Sequence, residues 1–299
     1  MTRAASPAGH ERVARQCVCC GGTSLQSSPA ILMPFVADRA FGWKPAVIDE
    51  SWGLQTIRSG TAYALCNSLW CADCGLLFLD IRFSDREMDG IYQGYRGPEY
   101  TRLREHYEPG YALRNRQFDE GVSYVADVEA FLRPLVGDAP RVLDWGGHDG
   151  RNTPFRGKAA VCDVYDLSQT PVLAGTRQVT EDMARGSRYD LVVCSNVLEH
   201  SPYPADTLED IGAVMDQDTV LYIEVPFEEL VRTVPVQPHL RKKHWHEHVN
   251  FFSESSLHKL VAGCGLQVLA SAQLFVTTAG KSSYLFQLAC RRQPAAAAR

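Results

Sequence analysis

Four stretches of the chain carry residue types at spacings that could do chemistry. The first is a pair of cysteine doublets, Cys17-x-x-Cys20 and Cys71-x-x-Cys74, each spaced so that one turn can supply two thiolates to a tetrahedral zinc ion. Four thiolates close the coordination sphere, so such a site holds a fold together and leaves no position for substrate. Cys19 and Cys66 are substitute ligands, and unlinked structural cysteines are the alternative to a metal. The second stretch, Arg141-Val-Leu-Asp-Trp-Gly-Gly-His-Asp-Gly150, is an apolar run that ends in an acid and enters a loop with three glycines. Gly146, Gly147 and Gly150 would let backbone approach a ligand closely. Asp166, ending the next apolar run, could accept hydrogen bonds from both hydroxyls of a ribose. Asp144 and Asp166 together would clamp a nucleotide-like cofactor.

The third stretch, Tyr189-Asp-Leu-Val-Val-Cys-Ser-Asn-Val-Leu-Glu-His200, sets an apolar run before a polar turn bearing Asn196, Glu199 and His200. His200 is a candidate base there, with a structural histidine at a helix start as the alternative. The fourth, His244-Trp-His-Glu-His-Val-Asn-Phe-Phe252, packs three histidines and a glutamate into five residues. On extended chain, positions 244, 246 and 248 would face one side, an arrangement open to a metal. Acid/base work is the preferred reading, because imidazole titrates near neutral pH and a neighbouring carboxylate can orient it.

Elements must position these groups. From Phe118, Val122, Val125, Phe131 and Leu132 recur at helical spacing, and Pro134 with Gly137 predicts the helix stop. Short apolar runs at 141–143, 161–165, 191–195, 220–225 and 284–289 lack polar alternation, as strands buried on both faces do. Helical stretches separate them, which predicts an α/β domain with a doubly wound, mostly parallel sheet over about 118–292. Ligands bind such sheets at the carboxyl ends of the strands, where the glycine loop and both acids fall. Ser253 can cap a later helix striped by Leu257, Leu260 and Val261 and ended by Gly265. The remaining divisions are a tail over 1–16, a cysteine-rich module over 17–80, a tyrosine-rich connector over 81–117 and a tail over 293–299.

The stretches VLDWGGHDG, VYDLS and YDLVVCSNVLEH resemble the motifs of class I S-adenosylmethionine-dependent methyltransferases: the methionine-end glycine loop, the ribose acid and the fourth strand. The resemblance spans about 140–290 and implies a seven-stranded Rossmann-like sheet. It implies S-adenosylmethionine as cofactor, held by Asp144, Gly146, Gly147, Gly150, Asp166 and Asn196. The family's Gly-x-Gly-x-Gly has its second glycine shifted here. A dinucleotide is disfavoured because Gly-x-Gly-x-x-Gly is absent and Asp144 ends the strand.

The segment CADCGLLFLDIRFSDREMDGIYQGYRGPEY resembles the zinc-binding domain that precedes some sugar and polysaccharide methyltransferases. His244 to Phe252 is similar to the His-Glu-His stretch of sugar C-methyltransferases acting on nucleotide-linked keto sugars, where the glutamate and following histidine lie against the acceptor. Carried over by position, Glu247 and His248 become the acceptor-side pair, with His248 the first choice of base, oriented by Glu247, and His200 the second. Trp245 stands where those enzymes tend to have tyrosine, which favours a hydroxyl over a carbon as the methylated atom.

Among 299 residues, 30 basic side chains meet 35 acidic ones for a net charge of −5, and hydrophobic residues are 45%. That balance suits a globular protein and argues against nucleic acid as the main partner. No run reaches the roughly 18 to 20 apolar residues of a membrane span, and the polar start has no signal-like core. The expected address is the cytoplasm, where thiols stay free to bind metal. The expected function is methyl transfer to a small sugar or glycan acceptor. Carbon methylation of a keto sugar and cofactor binding without turnover are the alternatives.

Overall fold

The computed structural model describes residues 11–53, 58–113, 122–168, 170–233, 237–278 and 281–294. The first half contains β1 (Leu25–Leu32), α1 (Pro34–Phe41), the hairpin β2 (Ala46–Ile48) and β3 (Gly60–Ala62), then β4 (Leu65–Cys71) and β5 (Leu77–Leu79). Two helices follow, α2 (Asp85–Tyr92) and α3 (Pro98–Tyr107). Ser84 and Glu87 close a capping box on the first, and Pro98 opens the second, where its missing N–H costs nothing. Helix α4 (Val125–Val136) buries Val128 and Leu132. It ends at Gly137, as expected, with Pro134 inside its last turn. The expected helix start at 118 lies outside the described residues.

The second half holds β6 (Arg141–Trp145), β7 (Val161–Tyr165), β8 (Arg177–Gln178), α5 (Glu181–Arg185), β9 (Leu191–Ser195), α6 (Pro204–Gly212) and β10 (Val220–Pro226). After it come α7 (Glu229–Arg232), α8 (Pro238–Arg241), β11 (His244–Trp245), β12 (Asn250–Phe251), α9 (Glu254–Gly263), β13 (Leu266–Thr278) and β14 (Lys281–Arg292). The seven-stranded sheet has the order β13-β14-β10-β9-β6-β7-β8, parallel from β10 to β8, with β14 and β13 antiparallel at one end. All five apolar runs are strands of this sheet. Two further strands had no such signal. Strand β8 is two exposed residues, and β13 alternates inward and outward along an edge, as a half-solvated antiparallel strand does.

A second sheet has the order β11-β1-β4-β5-β12, so both its edges come from the histidine-rich segment far along the chain. Strand β11 runs parallel to β1, with Ile31 opposite His244 and Leu32 opposite Trp245. Strand β12 pairs with β5 through Asn250–Phe78 and Phe251–Leu77. Trp245 is fully buried and donates its indole N–H to Ser68 at 2.8 Å. Residues 11–16, expected within a tail, also join this region: Val13 bridges Ile81, and the Ala14 N–H donates to the Asp80 carbonyl at 2.8 Å. Leu69, Leu76 and Phe78 belong to the same buried cluster as Leu143, Val192 and Leu257, so one core runs under both sheets.

Arg82, 1% exposed, fastens the two halves. Its guanidinium donates to the Pro202 carbonyl at 2.9 Å, the Asn250 side-chain oxygen at 3.0 Å, the Val249 carbonyl at 3.3 Å and the Leu79 carbonyl. Asn250 in turn donates to the carbonyls of Leu198 at 3.0 Å and Ser201 at 2.7 Å. Replacing Arg82 by methionine strips these buried acceptors of their donor and is expected to cost about 2–4 kcal/mol in urea unfolding. A loss below about 0.5 kcal/mol, the size of a surface substitution, would contradict the clamp.

Candidate active site

The carboxyl ends of β6 and β7 bring the expected cofactor residues together. Gly146, at φ 83°, turns the chain so tightly that a Cβ there would lie 2.6 Å from Val197 Cγ2. A Cβ on Gly147 would meet the Asp144 carboxyl carbon at 2.5 Å, and one on Gly150, at φ 76°, Thr176 Cγ2 at 2.9 Å. This end of the cleft is therefore lined by backbone. Asp144 is nearly buried and accepts the Thr153 hydroxyl at 2.5 Å. Burial pushes its carboxyl up to about 7 against that hydrogen bond, with the charges of Asp166 and Glu224 adding to the rise. Asp166 accepts the N–H of His148 at 2.8 Å and of Ser168 at 2.7 Å, one on each oxygen, which fixes the carboxylate and leaves further lone pairs. The two acids differ in role: Asp144 is tied beneath the loop, while Asp166 is held at its mouth.

Asn196 follows β9 at φ 53° and donates to Ser195 Oγ and Glu224 Oε1, both at 3.1 Å. Glu224 also accepts from Ser195 at 2.7 Å, Tyr222 at 2.7 Å and Tyr124 at 3.3 Å. Sequence reasoning missed Glu224, although a lone acid near the end of the apolar run 220–225 repeats the signal that marked Asp144.

The opposite wall is the turn at 199–200 together with residues 246–248. His200 Nδ1 lies 2.6 Å from the Tyr92 hydroxyl and 3.1 Å from the Glu247 main-chain carbonyl. His248 stacks edge-on against His200 with ring centres 4.6 Å apart, and His246 is 5.4 Å from His248. Burial holds the pKa of His248 well below that of a free imidazole, and His200 repels its charged form further. Burial likewise lowers His200, and His246 to about 4, so all three rings are neutral at pH 7. His244 is exposed on β11, and among the described residues 244, 246 and 248 do not come together as a group of possible metal ligands.

Glu247 was expected to orient His248, but its carboxylate is held by Arg104 at 2.6 Å. Arg104 also lies over the rings of Tyr111 and Phe35, at 4.5 and 5.0 Å. Tyr92, Tyr95 and Tyr111, from the connector, line the cleft as well. Glu199 is 2% exposed, and among the described residues neither carboxylate oxygen has a hydrogen-bond partner outside its own residue. Burial pushes it up to about 8 against the pull of its own backbone N–H, with the charges of Glu224 and Glu228 adding to the rise.

Away from the cleft, one Sγ from each of Cys17, Cys20, Cys71 and Cys74 lies within 4.8 Å of the other three. Cys17 and Cys74 are 3.5 Å apart, Cys20 and Cys71 3.6 Å. The donor set fits a closed tetrahedral zinc site. Cys66, a substitute candidate, packs in a different hydrophobic cluster.

The Glu247 pair gives a signed pH dependence. Burial alone would raise this carboxyl, but Arg104 and the histidines hold it at about 2. A depressed carboxyl contributes stability above its unfolded pKa of about 4.3, and that contribution disappears as pH falls towards 2. Replacing Arg104 by methionine leaves a buried carboxylate unpaired and reverses the sign. Urea unfolding should then show wild type gaining stability from pH 3 to 6 relative to the variant, with a deficit of about 2–3 kcal/mol at pH 7. Identical pH slopes in the two proteins would contradict the assignment.

A family profile described as a methyltransferase domain matches residues 113–271, more than half of the 299 residues. Among solved structures, a Burkholderia thailandensis 1,6-didemethyltoxoflavin-N1-methyltransferase with bound S-adenosylhomocysteine is similar at 17% identity and a TM-score of 0.49, covering 75% of this chain and 97% of its own. Magnesium protoporphyrin IX methyltransferase from Synechocystis gives 17% identity, a TM-score of 0.43, and coverage of 67% and 97%. Glycopeptide N-methyltransferase MtfA, complexed with sinefungin, gives 12%, 0.42, and coverage of 57% and 94%. A search of curated proteins finds no match. The family match spans the domain that holds the glycine loop and both acids, and the chain belongs to that methyltransferase family.

Proposed function

We propose that this enzyme methylates a hydroxyl of a sugar or sugar-containing acceptor. The observation that carries the reading is one continuous cleft with the glycine loop and Asp166 on one wall and His200, His246, Glu247 and His248 on the other. Its volume of 3440 Å³ is several times that of a pocket for one small ligand, about 300–1,000 Å³, and leaves room for a cofactor and a bulky acceptor together. When bound, S-adenosylmethionine supplies a methyl group on a positively charged sulfur.

The chain's own residues divide the remaining work. Asp166, its orientation fixed by two backbone N–H groups, accepts from the ribose hydroxyls. Asp144, Gly146, Gly147 and Gly150 shape the methionine end, and Asn196, held by Glu224, stands beside it. His248, neutral at pH 7, is the first group to take the hydroxyl proton, with His200 beside it as the second. Arg104, Tyr92 and Glu247 give that wall the density of donors and acceptors that a polyhydroxylated ligand needs. Trp245 lies in the core of the second sheet and offers no acidic hydroxyl to the cleft, which supports oxygen over carbon as the methylated atom. Cys17, Cys20, Cys71 and Cys74 hold zinc and brace the sheet that carries the histidine segment.

The test is transfer of a labelled methyl group to a panel of nucleotide sugars and free glycans, with S-adenosylhomocysteine affinity measured beside it. His248→Ala should lower turnover at least about a hundredfold while cofactor affinity stays within about twofold. Asp166→Ala should weaken cofactor binding about ten- to a hundredfold. Full turnover by the first variant, or unchanged affinity in the second, would overturn the corresponding role.

A further inference from the structure

Three side chains on the acceptor wall come together in a way that the proton-transfer role leaves unexplained. Glu199 and His200 sit on the turn after β9, and His248 lies between β11 and β12. One ligand atom from each lies within 4.8 Å of the other two. The N–H groups of Val249 and Asn250 donate to the Glu199 carbonyl at 2.7 and 3.1 Å, so the backbone locks the turn to the histidine segment.

The chemistry of the three groups is specific. Among the described residues, neither carboxylate oxygen of Glu199, both buried, has a donor outside its own residue, and Arg104, a cation of this wall, is already held by Glu247 and Glu108. A buried carboxylate left in that state is costly unless a cation or a proton joins it. The Glu247 carbonyl can only accept, so it selects the His200 tautomer with its hydrogen on Nδ1, an atom that also lies 2.6 Å from Tyr92 Oη. In that tautomer Nε2 carries a lone pair, and it lies 3.8 Å from Glu199 Oε1, too far for a hydrogen bond between them. A histidine whose outer nitrogen donates to a backbone carbonyl while its inner nitrogen faces a carboxylate and a second imidazole has the usual surroundings of a metal ligand.

We propose that Glu199, His200 and His248 bind a divalent transition-metal cation. Two imidazoles and one carboxylate suit manganese, iron, cobalt or zinc better than magnesium or calcium, which prefer all-oxygen shells. Three protein ligands leave positions open towards the cleft, in contrast to the closed thiolate set of Cys17, Cys20, Cys71 and Cys74. Those positions would take a ligand with two neighbouring oxygens, such as a vicinal diol or a hydroxy ketone. In the metal-free state the two imidazoles are the bases described above, and in the metal-bound state they act as ligands. The binding itself does not depend on which acceptor is methylated.

The test is cobalt(II) chloride titrated into the full chain with its cysteine site filled by zinc, followed by visible absorption. One equivalent should bind saturably, with ligand-field bands and without the sulfur-to-cobalt charge-transfer band of a thiolate site. Glu199→Gln, which keeps the side-chain shape, and His248→Ala should each weaken binding by at least about tenfold. Cobalt bound equally well by folded Glu199→Gln would overturn the proposal. If that variant fails to fold, the wild-type titration decides alone: no saturation at millimolar cobalt, or a thiolate charge-transfer band, would overturn it. S-adenosylhomocysteine binding by the same wild-type sample is a separate readout, so failure here leaves the methyl-transfer reading standing.

Discussion

Residues 244–251 close both edges of the N-terminal sheet, and the shape of the cleft follows from that pairing. Strand edges carry unpaired N–H and C=O groups that seek partners. Here β11 satisfies β1 and β12 satisfies β5, so the short link between them, His246 to Val249, must arch across the end of the sheet. Trp245 and Phe251 anchor its two feet in one core, with ring centres 5.4 Å apart. Arg82 and Asn250 then bind the arch to the turn at 198–202, which is itself the carboxyl-end loop of β9. The wall opposite the glycine loop is thus built by the first half of the chain and by an excursion from the second. A cysteine-held metal would stabilise the sheet from which this wall is built.

Charge along the cleft is sorted by partner. Asp166 and Glu224 are satisfied by several donors each, and Glu247 has its own arginine. The imidazoles are kept neutral by burial and by one another. A positively charged sulfur would therefore enter a cleft rich in carboxylates and without a protonated histidine opposite it. Glu199 is the exception, buried among the described residues with no donor outside its own residue, and for that reason it is the group on this wall left open to a further ligand.

Much of this was legible in the sequence, for local reasons. Strands buried on both faces write unbroken apolar runs, so 141–143, 161–165, 191–195 and 220–225 could be read directly, as could the glycine loop between the first two. The cysteine doublets carry their chemistry in their spacing, and the four sulfurs do converge. What could not be read depends on partners far away in the chain. Strands β11 and β12 are two residues each and have no periodicity to detect, so their sheet was invisible. The adjacency of Glu247 and His248 suggested a pair, yet Arg104, 143 residues away, takes the carboxylate. Glu199 looked like one more polar turn residue, because burial without a partner leaves no mark in sequence. Glu224 did leave one and was overlooked.

The central claim is that one cleft holds the cofactor against the wall made by the histidine arch. A crystal structure of the protein with S-adenosylhomocysteine tests it most directly. The account predicts ribose hydroxyls on the Asp166 carboxylate, the methionine end against Gly146 and Gly147, and the sulfur facing His200 and His248. Product bound elsewhere, or with its sulfur turned away from those two histidines, would contradict it.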